Sequence, residues 1–151
     1  MGYTTDFNGG FGITPTLSPA MRKFLMKFNE VRHMKRRLPE RQHGVEGEFF
    51  VDGGGDYGQD QDATIIDYNV PPRTQPELWC QWRPNEDGTA IEWDGGEKFY
   101  EYEAWLRYLI DKVLAPNKYV LNGAVLWQGE DIEDRGKLIV KNNKVTVKNL
   151  E

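Results

Sequence analysis

The sequence predicts an α+β fold, with two helices packed on one face of a mainly antiparallel sheet of about six to seven strands. Three observations predict it. Two stretches carry apolar residues at helical spacing. Several others alternate apolar and polar residues with a period of two. The order is strands, helix, strands, helix, strands, with too few helices for alternating β-α-β units.

From the N-terminus, residues 3–14 mix Thr, Phe and Ile with Gly9, Gly10 and Gly12, the pattern of a glycine-interrupted strand or bent hairpin. "TPTLSPAMRKF" then starts a helix. Ser18 is a good N-cap, and Pro19 fits the first helical position, where its missing N–H costs nothing. Met21, Phe24, Leu25, Phe28 and Val31 share one face, and the helix is expected to run to about Arg36, before Pro39. A short strand is expected from Glu48 to Val51, a loop through "DGGGDYGQDQD", an extended segment at "ATIIDYNV" and a polyproline-like link at "PPRTQP".

"LWCQWRPNEDGTAIEWD" reads as a hairpin turning at Asp87–Gly88, with Leu78, Cys80, Trp82, Ile91 and Trp93 on the buried face. "WDGGEKFY" follows. Asp94 stands three residues before Glu97, the spacing of a capping box, so Asp94 is expected to cap a second helix. That helix carries Phe99, Tyr102, Leu106, Leu109, Ile110 and Val113 as one stripe and ends at Pro116. "KYVLNGAVLWQGED" keeps a two-residue period. It suits one long strand bent at Gly123 better than a tight turn at Asn122–Gly123. "GKLIVKNNKVTVKNLE" closes the chain as a hairpin turning at Asn142–Asn143.

Composition bounds the reading. A chain of 151 residues with 38% hydrophobic content suits a single domain over residues 1–151, and 13% aromatics is too rich for a disordered chain. A lone cysteine, Cys80, rules out a disulfide within the chain and favours a cytoplasmic setting. No apolar run reaches the roughly 20 residues that span a bilayer, so no membrane partner is expected. "MGYTTDFNGG" has no basic and then apolar leader pattern, and Asp6 stands where a myristoylation motif wants Ser or Thr.

The net charge of −5 is segregated. Eight Lys or Arg and only two acids fall between Arg22 and Arg41. Acids gather from Asp52 to Asp62, from Glu86 to Glu97 and from Glu130 to Asp134. Two clusters are therefore candidate partner-binding surfaces: the basic stretch Arg32, Lys35, Arg36, Arg37 and Arg41, and the acidic turn Glu130, Asp131, Glu133 and Asp134. Such clusters steer complementary partners and, when exposed, contribute little to folding, so reversing the acidic turn to Lys is expected to leave melting nearly unchanged. Trp79, on the strand face opposite Trp82, is the aromatic best placed to be exposed.

No motif fixes a reaction. The acidic loop from Asp52 to Asp62 fits no register of a calcium loop and reads as solvated. Cys80 with His33 and His43 lacks the local partners of a zinc site. Cys80 between two tryptophans reads as a small buried residue, and His33 as a surface or helix-terminal one. Pairing Glu92 with Asp94 for glycoside chemistry carries almost no specificity. No catalytic residue, no metal ligand and no cofactor is assigned.

Six stretches together resemble a group of small proteins encoded by phages, prophages and gut metagenomes. They are "GYTTDF", "RHMKR", "IIDYNVPPRTQPELWCQW", "EDGTAIEWDGGEKFYEY", "WLRYLI" and "YVLNGAVLWQGED", and they span nearly the whole chain. The resemblance implies a viral or mobile-element origin and transfers no catalytic residue. With the charge pattern, it leads to the expectation of a non-enzymatic phage accessory protein in the host cytoplasm. Such a protein would bind a host or phage protein, interference with a host defence being one version. The alternative is a nucleotide or single-stranded nucleic-acid module using aromatic stacking and the basic patch between Arg22 and Arg41.

Overall fold

Alternation in the sequence becomes a six-stranded antiparallel sheet in the computed structural model, which describes residues 2–150. Met1, in the stretch read for a leader, and Glu151, at the end of the closing hairpin, lie outside the described residues. Across the sheet run β4 (Trp82–Pro84), β5 (Ala90–Trp93), β1 (Thr5–Thr14), β6 (Val120–Gly129), β7 (Arg135–Lys141) and β8 (Lys144–Asn149). A second, two-stranded sheet joins β2 (Lys35–Arg36) to β3 (Ile65–Asp67). The helices are α1 (Pro19–Glu30), the single turn α2 (Glu40–His43) and α3 (Tyr102–Leu109).

One face of the large sheet is covered. Phe11 and Ile13 of β1, Leu121, Val125 and Trp127 of β6, and Leu138 and Val140 of β7 share a single core with Leu25 and Phe28 of α1 and Trp105, Leu106 and Leu109 of α3. The residues that alternate with them, among them Asp6, Asn8, Asn122, Ala124, Leu126 and Gln128, are exposed on the opposite face. At the centre, β1 and β6 run together without a break from Thr5↔Gly129 to Thr14↔Val120. The expected bend falls at Gly123, whose φ is 145°, and a Cβ there would lie 2.7 Å from Gly10 O. The backbones can come this close only without side chains between them. The Asn142–Asn143 turn forms as expected, both residues having positive φ.

α1 starts as the sequence predicts, with the Met21 N–H donating to Ser18 Oγ at 3.1 Å. It stops at Glu30, however, not near Arg36. Val31 is already extended, and the following backbone pairs elsewhere: His33 N–H to Leu78 O, Lys35 N–H to Val70 O and Arg37 N–H to Thr64 O, all within 2.8 Å. Val31, His33, Met34 and Arg36 are buried by this crossing, so His33 is a core residue rather than a surface one.

The second helix also differs. It begins at Tyr102, not after Asp94. Gly95, Lys98 and Glu101 have φ of 83°, 59° and 59°, a left-handed series that no helix can contain, and Phe99 drops into the core between them. Asp94 instead closes a turn. Its Oδ1 accepts from Gly96 N–H at 2.7 Å and its Oδ2 from Asn29 Nδ2 at 3.0 Å, tying the turn to α1. α3 runs on through a wider turn, Ile110–Leu114, to a last turn, Ala115–Asn117, that contains Pro116. Residues 48–51 are not a strand either. Glu48 is buried, its carboxylate accepting from Val45 N–H at 2.9 Å and Tyr108 OH at 2.7 Å. Leu78 and Trp93, expected in the core, are only half-buried.

Candidate protein-binding surface

The crossing of residues 31–37 over residues 64–78 brings two sequence-predicted residues together. The Arg32 guanidinium lies 4.3 Å from the Tyr68 ring centre and 5.8 Å from that of Trp79. Its Nε donates to Tyr68 O at 3.0 Å and its Nη2 to Asn69 Oδ1 at 3.2 Å. Tyr57 stands edge-on to Trp79, with ring centres 5.8 Å apart. Tyr68 and Trp79 thus flank the arginine, with cation–π attraction of about 0.5–1 kcal/mol per contact, and Tyr57 packs on Trp79, which is half-buried and, because β4 starts only at Trp82, lies on no strand.

Tyr57 is 62% exposed and has φ of 56°, a conformation that bulky residues rarely adopt. Its loop is latched from beneath. Arg36, only 4% exposed, donates to Asp62 Oδ2 at 3.1 Å, to Thr64 Oγ1 at 2.9 Å and to Gly58 O at 3.2 Å, with its guanidinium over the Phe50 ring. Hydrogen bonds from Thr64, and then from Arg36, hold the Asp62 carboxyl below the usual carboxylate range. Gly53 packs backbone to backbone on Gly58, where a Cβ would lie 2.6 Å from Gly58 O, which accounts for part of the glycine in "DGGGDYG".

The basic stretch is therefore not one patch. Arg36 is buried, Arg32 is engaged on its aromatic neighbours, and Lys35 pairs with Glu46 at 3.3 Å. Glu46 also accepts from Arg73, whose backbone N–H is the leading cause of its lowered pKa. Only Arg37 and Arg41 remain exposed and without an ion pair among the described residues. Burial of one cation and internal pairing of another remove what the local sequence offered. Around the aromatic cluster the charge is in fact negative. Residues 42–72 contain seven acids and no Lys or Arg. Glu46, Asp52 and Asp62 have cationic partners, Glu48 is buried, and Asp56, Asp60 and Asp67 are exposed and form no ion pair among the described residues. Ile66 and Val70, 50% and 42% exposed, add apolar area on the same segment. Of this surface the sequence reading found Arg32 and Trp79 and missed Tyr57, Ile66, Tyr68 and Val70. An aromatic inside a cation-free acidic stretch was the available signal.

The acidic turn between β6 and β7 divides in two. Glu130, Asp131 and Glu133 are exposed around Ile132, which is 81% exposed. Asp134 builds the turn: its carboxylate accepts from Tyr3 OH at 2.7 Å and from the buried Trp127 Nε1 at 2.9 Å. This corrects the expectation that the whole turn contributes little to folding. Asp134→Ala should lower the denaturation free energy by about 2 kcal/mol, because it orphans a buried indole donor. Glu130→Lys with Glu133→Lys should stay within about 0.5 kcal/mol. Urea titration of the two variants checks this, and an unmoved midpoint in Asp134→Ala would remove Asp134 from the structural account.

The residues weighed for chemistry are placed otherwise. Cys80 is fully buried and burial pushes its thiol up, away from thiolate. Both oxygens of Asp94 hold the turn described above, and Glu92 lies opposite Arg83. No group of three or more metal-ligating side chains is found, and no helix is long and apolar enough to cross a membrane, among the described residues. No protein-family model, no curated protein and no solved structure matches the chain.

Proposed function

We propose that the protein is a non-enzymatic accessory protein of a phage or mobile element that binds a host or viral protein, and that it does so through the surface around Tyr57 and Trp79. The observation that carries this reading is Tyr57 itself. A large aromatic is held in a left-handed conformation by a latched loop and points to solvent, at a conformational cost of roughly 1–3 kcal/mol, and such strain clusters at binding sites. Exposed aromatics are the usual anchors of protein interfaces. The exposed Asp56, Asp60 and Asp67 of the same segment fit a partner with a basic rim. Interference with a host defence is the specific version, and it rests on the phage-family resemblance.

The alternative, base stacking beside the patch between Arg22 and Arg41, has less to draw on. Arg36 is buried and the Arg32 guanidinium already lies against Tyr68. The test compares wild-type protein with a Tyr57→Asn, Ile66→Ser variant, since Asn tolerates the left-handed conformation. Both are tagged and recovered from phage-infected cells, and co-purifying proteins are quantified by mass spectrometry. The expected result is a partner that falls at least about 10-fold in the variant while the melting temperature is kept or raised. Equal recovery of every partner by both proteins would sink the proposal.

A further inference from the structure

The sheet face turned away from the helices carries a second charged surface, of opposite sign to the one around Tyr57. Between Arg135 and Asn149 there are five cations and no acid. Leu138, Val140, Val145 and Val147 alternate with Lys137, Lys141, Lys144 and Lys148 and face the core side, so the lysines and Arg135 all stand on the open face. Register sharpens this. Lys137 is directly opposite Lys148, Ile139 opposite Thr146 and Lys141 opposite Lys144. Two of the three cross-strand pairs on this face set like charges about 5 Å apart at Cβ, which destabilises a hairpin. None of the five cations forms an ion pair among the described residues.

Protection of a sheet edge is the ordinary reason for lysines on an outer strand. It accounts for Lys144 and Lys148 on β8, which is an edge. It does not account for Arg135, Lys137 and Lys141, because β7 is an interior strand paired with β6 on one side and β8 on the other.

We propose that the open face of β7 and β8 docks on the phosphate backbone of a nucleic-acid duplex. Charge complementarity selects a polyanion. A protein partner is disfavoured because lysine is depleted where protein interfaces bury their core, and among the described residues the large apolar side chains beside these cations are Leu126, Ile139 and, opposite Arg135, Leu150. A single strand is disfavoured because, among the described residues, no aromatic lies on this face to stack unpaired bases. The cation-free segment 42–72 packs on the helix side of the sheet through Phe49 and Val51, and the exposed acids near this face, Asp6 and Glu133, lie at its Arg135 end, so the docking surface centres on Lys137, Lys141, Lys144 and Lys148.

The test is anisotropy of a labelled duplex of about 20 base pairs, titrated with the full chain at several salt concentrations. Neutralising up to five phosphates gives a log–log salt slope near −4.5, so affinity should fall about 500-fold between about 50 and 200 mM salt. Lys137→Gln with Lys148→Gln should reduce that fall to about 40-fold and weaken binding at low salt. Relief of their repulsion should leave the melting temperature unchanged or raised. Arg37→Gln with Arg41→Gln, on the other side of the sheet, should change neither slope nor affinity. No binding at about 50 mM salt overturns the proposal. So does binding that the Lys137 and Lys148 substitutions leave untouched. Displacement of the duplex by an equal charge concentration of polyglutamate would also overturn it, in favour of an acidic protein. The Tyr57→Asn, Ile66→Ser variant should bind the duplex as wild type does, so this surface and the one around Tyr57 stand or fall separately.

Discussion

Trp82→Ala is expected to cost about 3–5 kcal/mol, a large part of the roughly 5–15 kcal/mol that holds a domain of this size. Trp82 is 1% exposed and has Phe7, Phe11 and Phe99 packed edge-on at 5.2–5.7 Å between ring centres. Its Nε1 donates to Tyr102 O at 2.9 Å, the first residue of α3. One side chain therefore joins the short edge strand β4, the central strand β1 and the start of a helix that has no side-chain cap of its own. Trp82→Phe separates the two contributions: it keeps most of the packing and loses the indole bond, and should cost only about 1–2 kcal/mol. Guanidinium titrations of both variants measure this. In Trp82→Ala, amide exchange should rise first at the start of α3. A shift below about 1 kcal/mol in Trp82→Ala would show that the aromatic cluster does not depend on it.

Lowering the pH from 7 to about 4 should remove roughly 3 kcal/mol of stability through His33 alone. The ring is buried against Phe28 and Trp105, with Nε2 donating to Phe28 O at 2.8 Å, and desolvation pushes its pKa from 6.5 down to about 4. The unfolded chain takes up this proton near pH 6.5 and the folded chain does not until about 4, so unfolding is favoured as pH falls through that interval. The full contribution is present above about 6.5. The difference of about 2.5 pH units corresponds to about 1.4 kcal/mol each. The carboxyls of Glu46, Asp62 and Asp87 are held below their usual range, so their contributions are present above their ordinary values, 4.5 for Glu46 and 3.8 for the two aspartates, and are lost as pH falls below them. His33→Gln, which retains a donor for Phe28 O, should flatten the dependence between pH 6.5 and 4.5. Melting curves of the two proteins across that range decide it, and identical slopes would mean that His33 does not titrate as a buried base.

The reach of the sequence follows the reach of the interactions. Ser18 and Pro19 could be read because a cap is decided within three residues. The Asn142–Asn143 turn, the alternation of β6, β7 and β8 and the face of Trp82 could be read for the same reason, whereas the strands expected at residues 48–51 and 78–81 do not form. The end of α1 could not, because residues 31–37 leave the helix to bond with residues 64–78, and nothing near Val31 announces that partner. Arg36 reads as surface charge for the same reason: the acid that pairs with it, Asp62, is far along the chain in a loop. Asp94 shows a subtler failure. Its spacing to Glu97 is that of a helix start, yet Lys98 and Glu101 take left-handed conformations that their residue types do not favour. The lysines of β7 and β8 were legible in principle, because a strict two-residue alternation places every one of them on the same face.

The position of β1 at the centre of the sheet has a consequence for how the chain is made. Thr5 pairs with Gly129 and Thr14 with Val120, so β1 must wait for a strand that emerges more than 100 residues after it. At about 5–20 residues per second, β1 spends roughly 5–20 s without its principal neighbour. The pairing joins residues more than 100 positions apart, which places final closure of the sheet among slow, milliseconds-to-seconds steps. A waiting strand is exposed to other chains in the same state. β1 is poorly built for that encounter: Asp6, Asn8, Gly9, Gly10 and Gly12 interrupt the run of β-branched and aromatic residues that self-association requires. Gly9, where a Cβ would lie 2.7 Å from Ala124 O in the finished sheet, also helps keep the unfinished strand from meeting the wrong partner.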